Sequence, residues 1–196
     1  MSNRRLRLII SSLRGRSLFD AVKLFHYHFY DFSGYHTPLK MLNFSMAKIQ
    51  KWLKRDKVWG MPYRYTIDPT NICNLRCPVC PTGTGIIGRD RGRMKLEDYR
   101  ELVDQIARYA YVLELYNWGE PFLNPEIFDM ISYAHHRRIS VRLSSNMNFF
   151  SYEMAEKVVN SGLDRIIVSV DGSSQDVYEK YRRGGDLSKV LSNVQL

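Results

Sequence analysis

Every cysteine of this 196-residue chain lies between Cys73 and Cys80, in the spacing Cys-x3-Cys-x2-Cys. An odd number of thiols in so short a loop excludes a fully paired disulfide framework. Cytoplasmic thiols stay reduced, so the loop has another purpose. Thiolates are soft donors that suit iron–sulfur clusters or zinc. Counting ligands separates the two. Structural zinc takes four, yet no fourth cysteine exists, and the candidate histidines His135 and His136 sit far along the chain in a helical pattern. A cubane that only carries electrons is also normally closed by four thiolates. Three thiolates leave one iron open to a substrate, which is a catalytic layout. Three incidental or zinc-binding cysteines form the competing reading.

The loop follows a β-prone run at residues 63–68, and from there short apolar runs alternate with helical spacing. Leu96, Tyr99, Val103, Ile106 and Ala110 predict a helix opening near Met94. Strands are expected at 112–116, 140–144 and 165–170. Helices are expected at 125–137, at 152–160 closed by Gly162, at 173–183 and from 187 to 194. Such alternation means parallel βα units in an α/β fold, whose right-handed crossovers curl toward a barrel or a doubly wound sheet. Four strands are too few to close a barrel. The chain stops inside a helical pattern, so a fragment or an open half-barrel is expected. In such folds the C-terminal ends of the strands gather the ligands, and the cysteine loop leaves one of those ends.

Residues 1–60 form a different region. They carry twelve Lys or Arg against Asp20, Asp31 and Asp56, which accounts for the whole net charge of +9. Leu18, Val22, Phe25 and Phe29 keep helical spacing, as do Met41, Phe44, Lys48, Trp52 and Arg55 with a mixed face. Two amphipathic helices joined around Ser33-Gly34 and Thr37-Pro38 are therefore expected, with a boundary at Trp59-Gly60-Met61-Pro62. The division is 1–60, a basic, aromatic-rich helical extension, and 61–196, the βα core. Basic amphipathic helices with aromatic residues fit an anionic membrane surface or an acidic peptide. A helical extension packed on the core is the plainer alternative. Nucleic acid is disfavoured, because no recognition motif for it is present. No apolar run approaches the roughly 18 residues that span a bilayer. The short apolar run Leu8-Ile9-Ile10 makes no secretory signal, so a cytoplasmic protein is expected, with peripheral attachment at the inner membrane face as a second placement.

The cysteine spacing after a first strand, flanked by Thr70-Asn71, Asn74-Leu75, Pro78, Pro81 and Arg93-Met94, resembles the radical S-adenosylmethionine (SAM) superfamily. The flanks look like its branch that often carries a C-terminal SPASM or Twitch domain, and the likeness covers about residues 61–190. It implies a partial TIM-like radical SAM barrel of about four βα units, the N-terminal portion only. It also implies that Cys73, Cys77 and Cys80 hold a 4Fe–4S cluster. The segment Tyr116-Asn117-Trp118-Gly119-Glu120-Pro121 is similar to the family's Gly-Gly-Glu stretch, with Trp118 in place of the first Gly. By that likeness Gly119 and Glu120 hold the SAM amino group. Ser145 and Asn146, then Ser169 and Asp171, match strand-end positions that contact the ribose and carboxylate of SAM. Arg182 resembles an arginine that reaches that carboxylate. Taken singly, these are also ordinary turn and cap residues. The resemblance implies an oxygen-sensitive enzyme fed one electron by flavodoxin or ferredoxin. It would cleave SAM to a 5′-deoxyadenosyl radical that takes hydrogen from a peptide, protein or other organic substrate. No side chain is assigned a catalytic role. The alternative is a non-catalytic iron–sulfur or zinc module with a basic docking arm.

Overall fold

A computed structural model describes residues 32–54 and 56–196. The first expected amphipathic helix lies outside the described residues. The chain divides into two compact units, and the second, Thr37–Leu196, holds every element discussed below. The boundary expected near residue 60 falls inside that unit.

After a helix α1 (Pro38–Trp52) the order is β1 (Arg64–Thr66), α2 (Pro81–Thr84), α3 (Leu96–Ile106), β2 (Val112–Glu114) and α4 (Ile127–His136). Then come β3 (Ser140–Ser145), α5 (Tyr152–Ser161), β4 (Arg165–Val168), α6 (Gln175–Tyr181) and α7 (Leu187–Asn193). The strands lie side by side in chain order, all parallel, as consecutive right-handed βα units require. One rung crosses the whole sheet through Thr66, Glu114, Arg142 and Arg165.

Alternation along each strand sorts the two faces. Leu113, Leu115, Val141 and Leu143 turn toward the helices, with Tyr65, Ile166 and Val168 at the margins of the same core. α3 meets them with Leu96, Tyr99, Val103 and Ile106, and α4 with Ile127, Met130, Ile131 and Ala134. Full burial of each such side chain contributes about 2 kcal/mol, so these two stripes hold the layers together. The opposite face is polar: Glu114 pairs with Arg64 at 3.4 Å and accepts from the Thr66 hydroxyl at 3.1 Å. The outer strands β1 and β4 are correspondingly half open, as in a barrel cut along its length.

The helix ends follow local chemistry. Ser151 caps α5 by accepting from Met154 N (3.3 Å), and Asp186 caps α7 by accepting from Lys189 N (3.1 Å). Gly162 ends α5 at φ 80°, where a Cβ would collide with the His135 ring at 2.6 Å. The paired strands are shorter than the pattern predicted at β1, β2 and β4. Extended backbone outlasts the ladder there: Ile67 N still donates to Glu114 O and Ser169 N to Ser145 O, both at 2.9 Å. α2 and a 3-10 turn at Pro121–Leu123 went unpredicted, since one turn opened by proline shows no periodicity.

The inward face of α1 differs from expectation. Lys40, Asn43 and Gln50 are buried, whereas Met41 and Trp52 are exposed. Each of these side chains has a backbone partner, although Gln50 Nε2 has none among the described residues. Lys40 Nζ donates to Arg138 O (2.5 Å), and Asn43 exchanges bonds with Met61 O and N (3.0 and 2.7 Å). Gln50 Oε1 accepts from Gly60 N at 3.2 Å. Apolar periodicity misjudged this helix because hydrogen bonds, not greasy contacts, seat it. Only Phe44 packs as expected, edge-on to Tyr63 at 4.8 Å and to Tyr111 at 5.8 Å.

Candidate cofactor site

The cysteine loop rises from the C-terminal end of β1 and is stapled at its base. Thr70 Oγ1 donates to Gly92 O (2.9 Å) and accepts from Ile72 N (3.0 Å), beside an antiparallel bridge from Thr70 to Arg93. Asn71 holds the same strap through Asp90 O (2.8 Å) and Gly92 N (2.7 Å). From the other side, buried Asn124 donates to Pro69 O at 2.8 Å and Met94 O at 3.0 Å. The segment after β2 then locks down: Glu120 N donates to Ile72 O (2.8 Å), next door to Cys73. Gly119 permits that approach, because a Cβ there would stand 2.0 Å from Thr70 O. Asp68 completes the clasp by accepting from Trp118 N at 3.0 Å and pairing with Arg89 at 2.9 Å.

All three cysteines are free thiols; Cys77 is buried while Cys73 and Cys80 are half-buried. Cys80 N donates to Cys77 O (3.2 Å) and Cys80 is the N-cap residue of α2. α2 lies against Cys77 so closely that a Cβ on Gly83 would be 2.5 Å from its backbone N and O. Donors converge on sulfur: Leu75 N (3.4 Å) and Asn146 Nδ2 (3.8 Å) on Cys73, Arg182 Nη1 (3.9 Å) on Cys77. Burial pushes both thiols up, opposed at Cys73 by the Leu75 N–H and at Cys77 by the Arg182 guanidinium. Among the described residues no three His, Cys, Asp or Glu side chains are gathered closely enough to hold a single metal ion. Three thiols flanked by N–H donors fit an anionic iron–sulfur cluster, whose sulfurs take such bonds.

The residues singled out for SAM all lie at this rim, but they separate into two sets. Glu120 and Ser145 turn inward and bond to each other, Ser145 Oγ donating at 2.7 Å. Glu120 also accepts from Asn146 N (2.9 Å) and Phe122 N (3.5 Å). Burial pushes its carboxyl up, against the pull of these donors and of Arg182. This carboxylate ties β2 to β3 and orients Asn146 toward Cys73. The other set turns toward the cysteine loop or the outer strand β4. Asn146 reaches Asn74 Oδ1 at 2.9 Å, Ser169 Oγ meets Ser144 Oγ at 3.3 Å, and Arg182 pairs with Asp171 at 2.5 Å. Gly119 presents only backbone.

Sequence reasoning gave Asp68 and Asn124 no role at the site, and took in Asn74 and Ser144 only as motif neighbours. Asn124 carried a signal, an Asn directly before Pro125 after an apolar pair. The pairing of Arg76 N with Arg183 O (3.0 Å), which joins the cysteine loop to the turn after α6, carried none. A cavity of about 800 Å³ opens along that seam, lined by Asn74, Arg76, Gly83 and Arg183 among others. Gly119, Ser169 and Asp171 do not line it, so it flanks the sulfur cradle.

Comparison with known proteins bears on this cradle. The family model described as the Radical SAM superfamily matches residues 67–196. The AdoMet-dependent heme synthase of Methanosarcina barkeri is 24% identical over 125 residues, which is 63% of this chain and 36% of that protein. The GTP 3′,8-cyclase of Alkaliphilus oremlandii is 30% identical over 132 residues, 65% of this chain and 41% of that protein. Among solved structures, Streptococcus suis SuiB bound to precursor peptide SuiA superposes with a TM-score of 0.60 at 15% identity. That match covers 82% of this chain and 35% of SuiB. It shows a shared fold. The chain spans about two fifths or less of the length of these relatives.

Proposed function

The chain belongs to the radical SAM superfamily, whose cofactors are a 4Fe–4S cluster and SAM, and we propose that it forms the SAM-cleaving part of an enzyme. The observation that carries this reading is a three-thiol loop at the C-terminal rim of a parallel sheet, with N–H donors aimed at sulfur. When bound, the two cofactors supply reductive cleavage of the sulfonium and abstraction of a hydrogen atom from a peptide, protein or other organic substrate.

This chain's own residues bind, orient and shield. Cys73, Cys77 and Cys80 hold the cluster, and Leu75, Asn146 and Arg182 offset its negative charge. The backbone carbonyls beside Gly119 are suited to accept from the amino group of SAM. Ser169 and Asn146 offer hydroxyl and amide to its polar edges. Arg182 suits its carboxylate by a bidentate approach once Asp171 yields. Glu120 acts as a positioning residue, holding Asn146 in place. Leu75 and Cys77, both buried, keep water from the inner side of the cradle. Flavodoxin or ferredoxin is the proposed electron donor.

The test is anaerobic reconstitution of the complete gene product, reduction with dithionite in the presence of SAM, and chromatography for 5′-deoxyadenosine. Turnover that vanishes in Cys77→Ala supports the proposal. A fully loaded cluster with no product from SAM would remove it in favour of a non-catalytic module.

A further inference from the structure

α1 is amphipathic in the reverse sense of a helix on a soluble protein. Its inward face carries Lys40, Asn43 and Gln50, each hydrogen-bonded to backbone, while Leu42, Ile49 and Trp52 share the outward face. The segment that follows α1 adds exposed apolar residues: Leu53 is 42% exposed, Val58 71% and Trp59 73%. Single exposed apolar residues are ordinary, but eight large ones between Met41 and Met61 mark a contact surface. They are interspersed with Lys51, Lys54 and Lys57, and the single acid in residues 37–61 is Asp56. No carboxylate pairs with these three lysines among the described residues.

We propose that the outward face of α1 and residues 53–61 form an interfacial anchor that rests on an anionic lipid surface. Tryptophans at the edge of an apolar face, with lysines beside them, are the groups that settle at the headgroup boundary. Lysine stems lie along apolar surface while their ammonium groups reach lipid phosphates. Among the described residues no helix is long and apolar enough to cross a membrane. Orientation follows from the packing. Lys40 bonds to Arg138 O just before β3 begins, and Phe44 packs on Tyr63 and Tyr111 just before β1 and β2. α1 therefore covers the N-terminal end of the sheet, opposite the cysteine loop. A lipid surface held there leaves the thiol rim facing away from the bilayer.

The anchor goes beyond the SAM reading, and its test needs no cluster. The full chain is sedimented with vesicles of phosphatidylglycerol and phosphatidylcholine, and with phosphatidylcholine vesicles alone. Binding is expected to the anionic vesicles, falling as salt rises. The triple variant Lys51→Gln, Lys54→Gln, Lys57→Gln is expected to bind about a hundredfold more weakly, since each lysine near such a surface contributes about 1 kcal/mol. Brominated lipid is expected to quench tryptophan fluorescence in the wild type and to lose that effect in Trp52→Ala, Trp59→Ala, with helix content unchanged. Equal binding to both vesicle types, or anionic binding untouched by either variant, would overturn the anchor. A solution dimer that the double variant splits, without lipid binding, would assign the face to a second copy instead.

Discussion

The two ends of the sheet use buried polar groups in opposite ways. At the C-terminal rim, Glu120, Ser145 and Asn146 join neighbouring strand ends and aim a donor at a thiol. At the N-terminal end, Lys40, Asn43 and Gln50 bond to backbone, and what they accomplish is to seat a helix with its apolar side outward. Polar burial at the rim shapes a cradle; at the base it builds a surface. The difference teaches that hydrogen bonding can replace hydrophobic packing where an apolar face is reserved for something else.

That contrast can be broken by substitution. The largest effect is expected from Cys73→Ala or Cys80→Ala, which should leave only background iron and sulfide after reconstitution, read by chemical assay and absorption. A retained cluster would mean that the rim is not the cradle. Next is Gly119→Val, whose Cβ meets Thr70 O at 2.0 Å. Overpacking against backbone should cost about 3 kcal/mol and lower Tm by roughly 6–12 °C. Glu120→Gln places an amide N–H₂ against groups that already donate, a loss of about 2 kcal/mol in denaturant titration.

At the base, Asn43→Ala removes both bonds to Met61 and should cost about 1–2 kcal/mol, with faster amide exchange at Gly60 and Met61. A further effect concerns pH. Burial, with Arg138 second, lowers Lys40 from its ordinary 10.5 to about 8. Between those values the unfolded chain binds more protons than the folded one, so the stability due to Lys40 rises with pH across that window. The Tm of the wild type relative to Lys40→Met should therefore climb from pH 8 to pH 10. A constant gap would contradict the buried amine.

The βα core was legible because its cues are local. α3 and α4 bury the residues that their apolar spacing marks, and Gly162 ends α5 as its position suggests. The gathering of the three thiols in one loop was legible from their spacing. What escaped were bonds between residues distant in the chain. Nothing near Glu120 in sequence shows that its side chain turns inward to Ser145 and Asn146, and nothing near Asn124 shows that it staples Pro69 to Met94. α1 escaped for a related reason. Its apolar spacing cannot show that Lys40, Asn43 and Gln50 turn inward to partners at Arg138, Met61 and Gly60.

The most direct measurement is Mössbauer spectroscopy of the iron-57-loaded protein before and after SAM is added. A cluster held at three corners by Cys73, Cys77 and Cys80 should show four irons, one of which alone changes its signal with SAM. Four irons indifferent to SAM, or zinc in place of iron, would contradict the account.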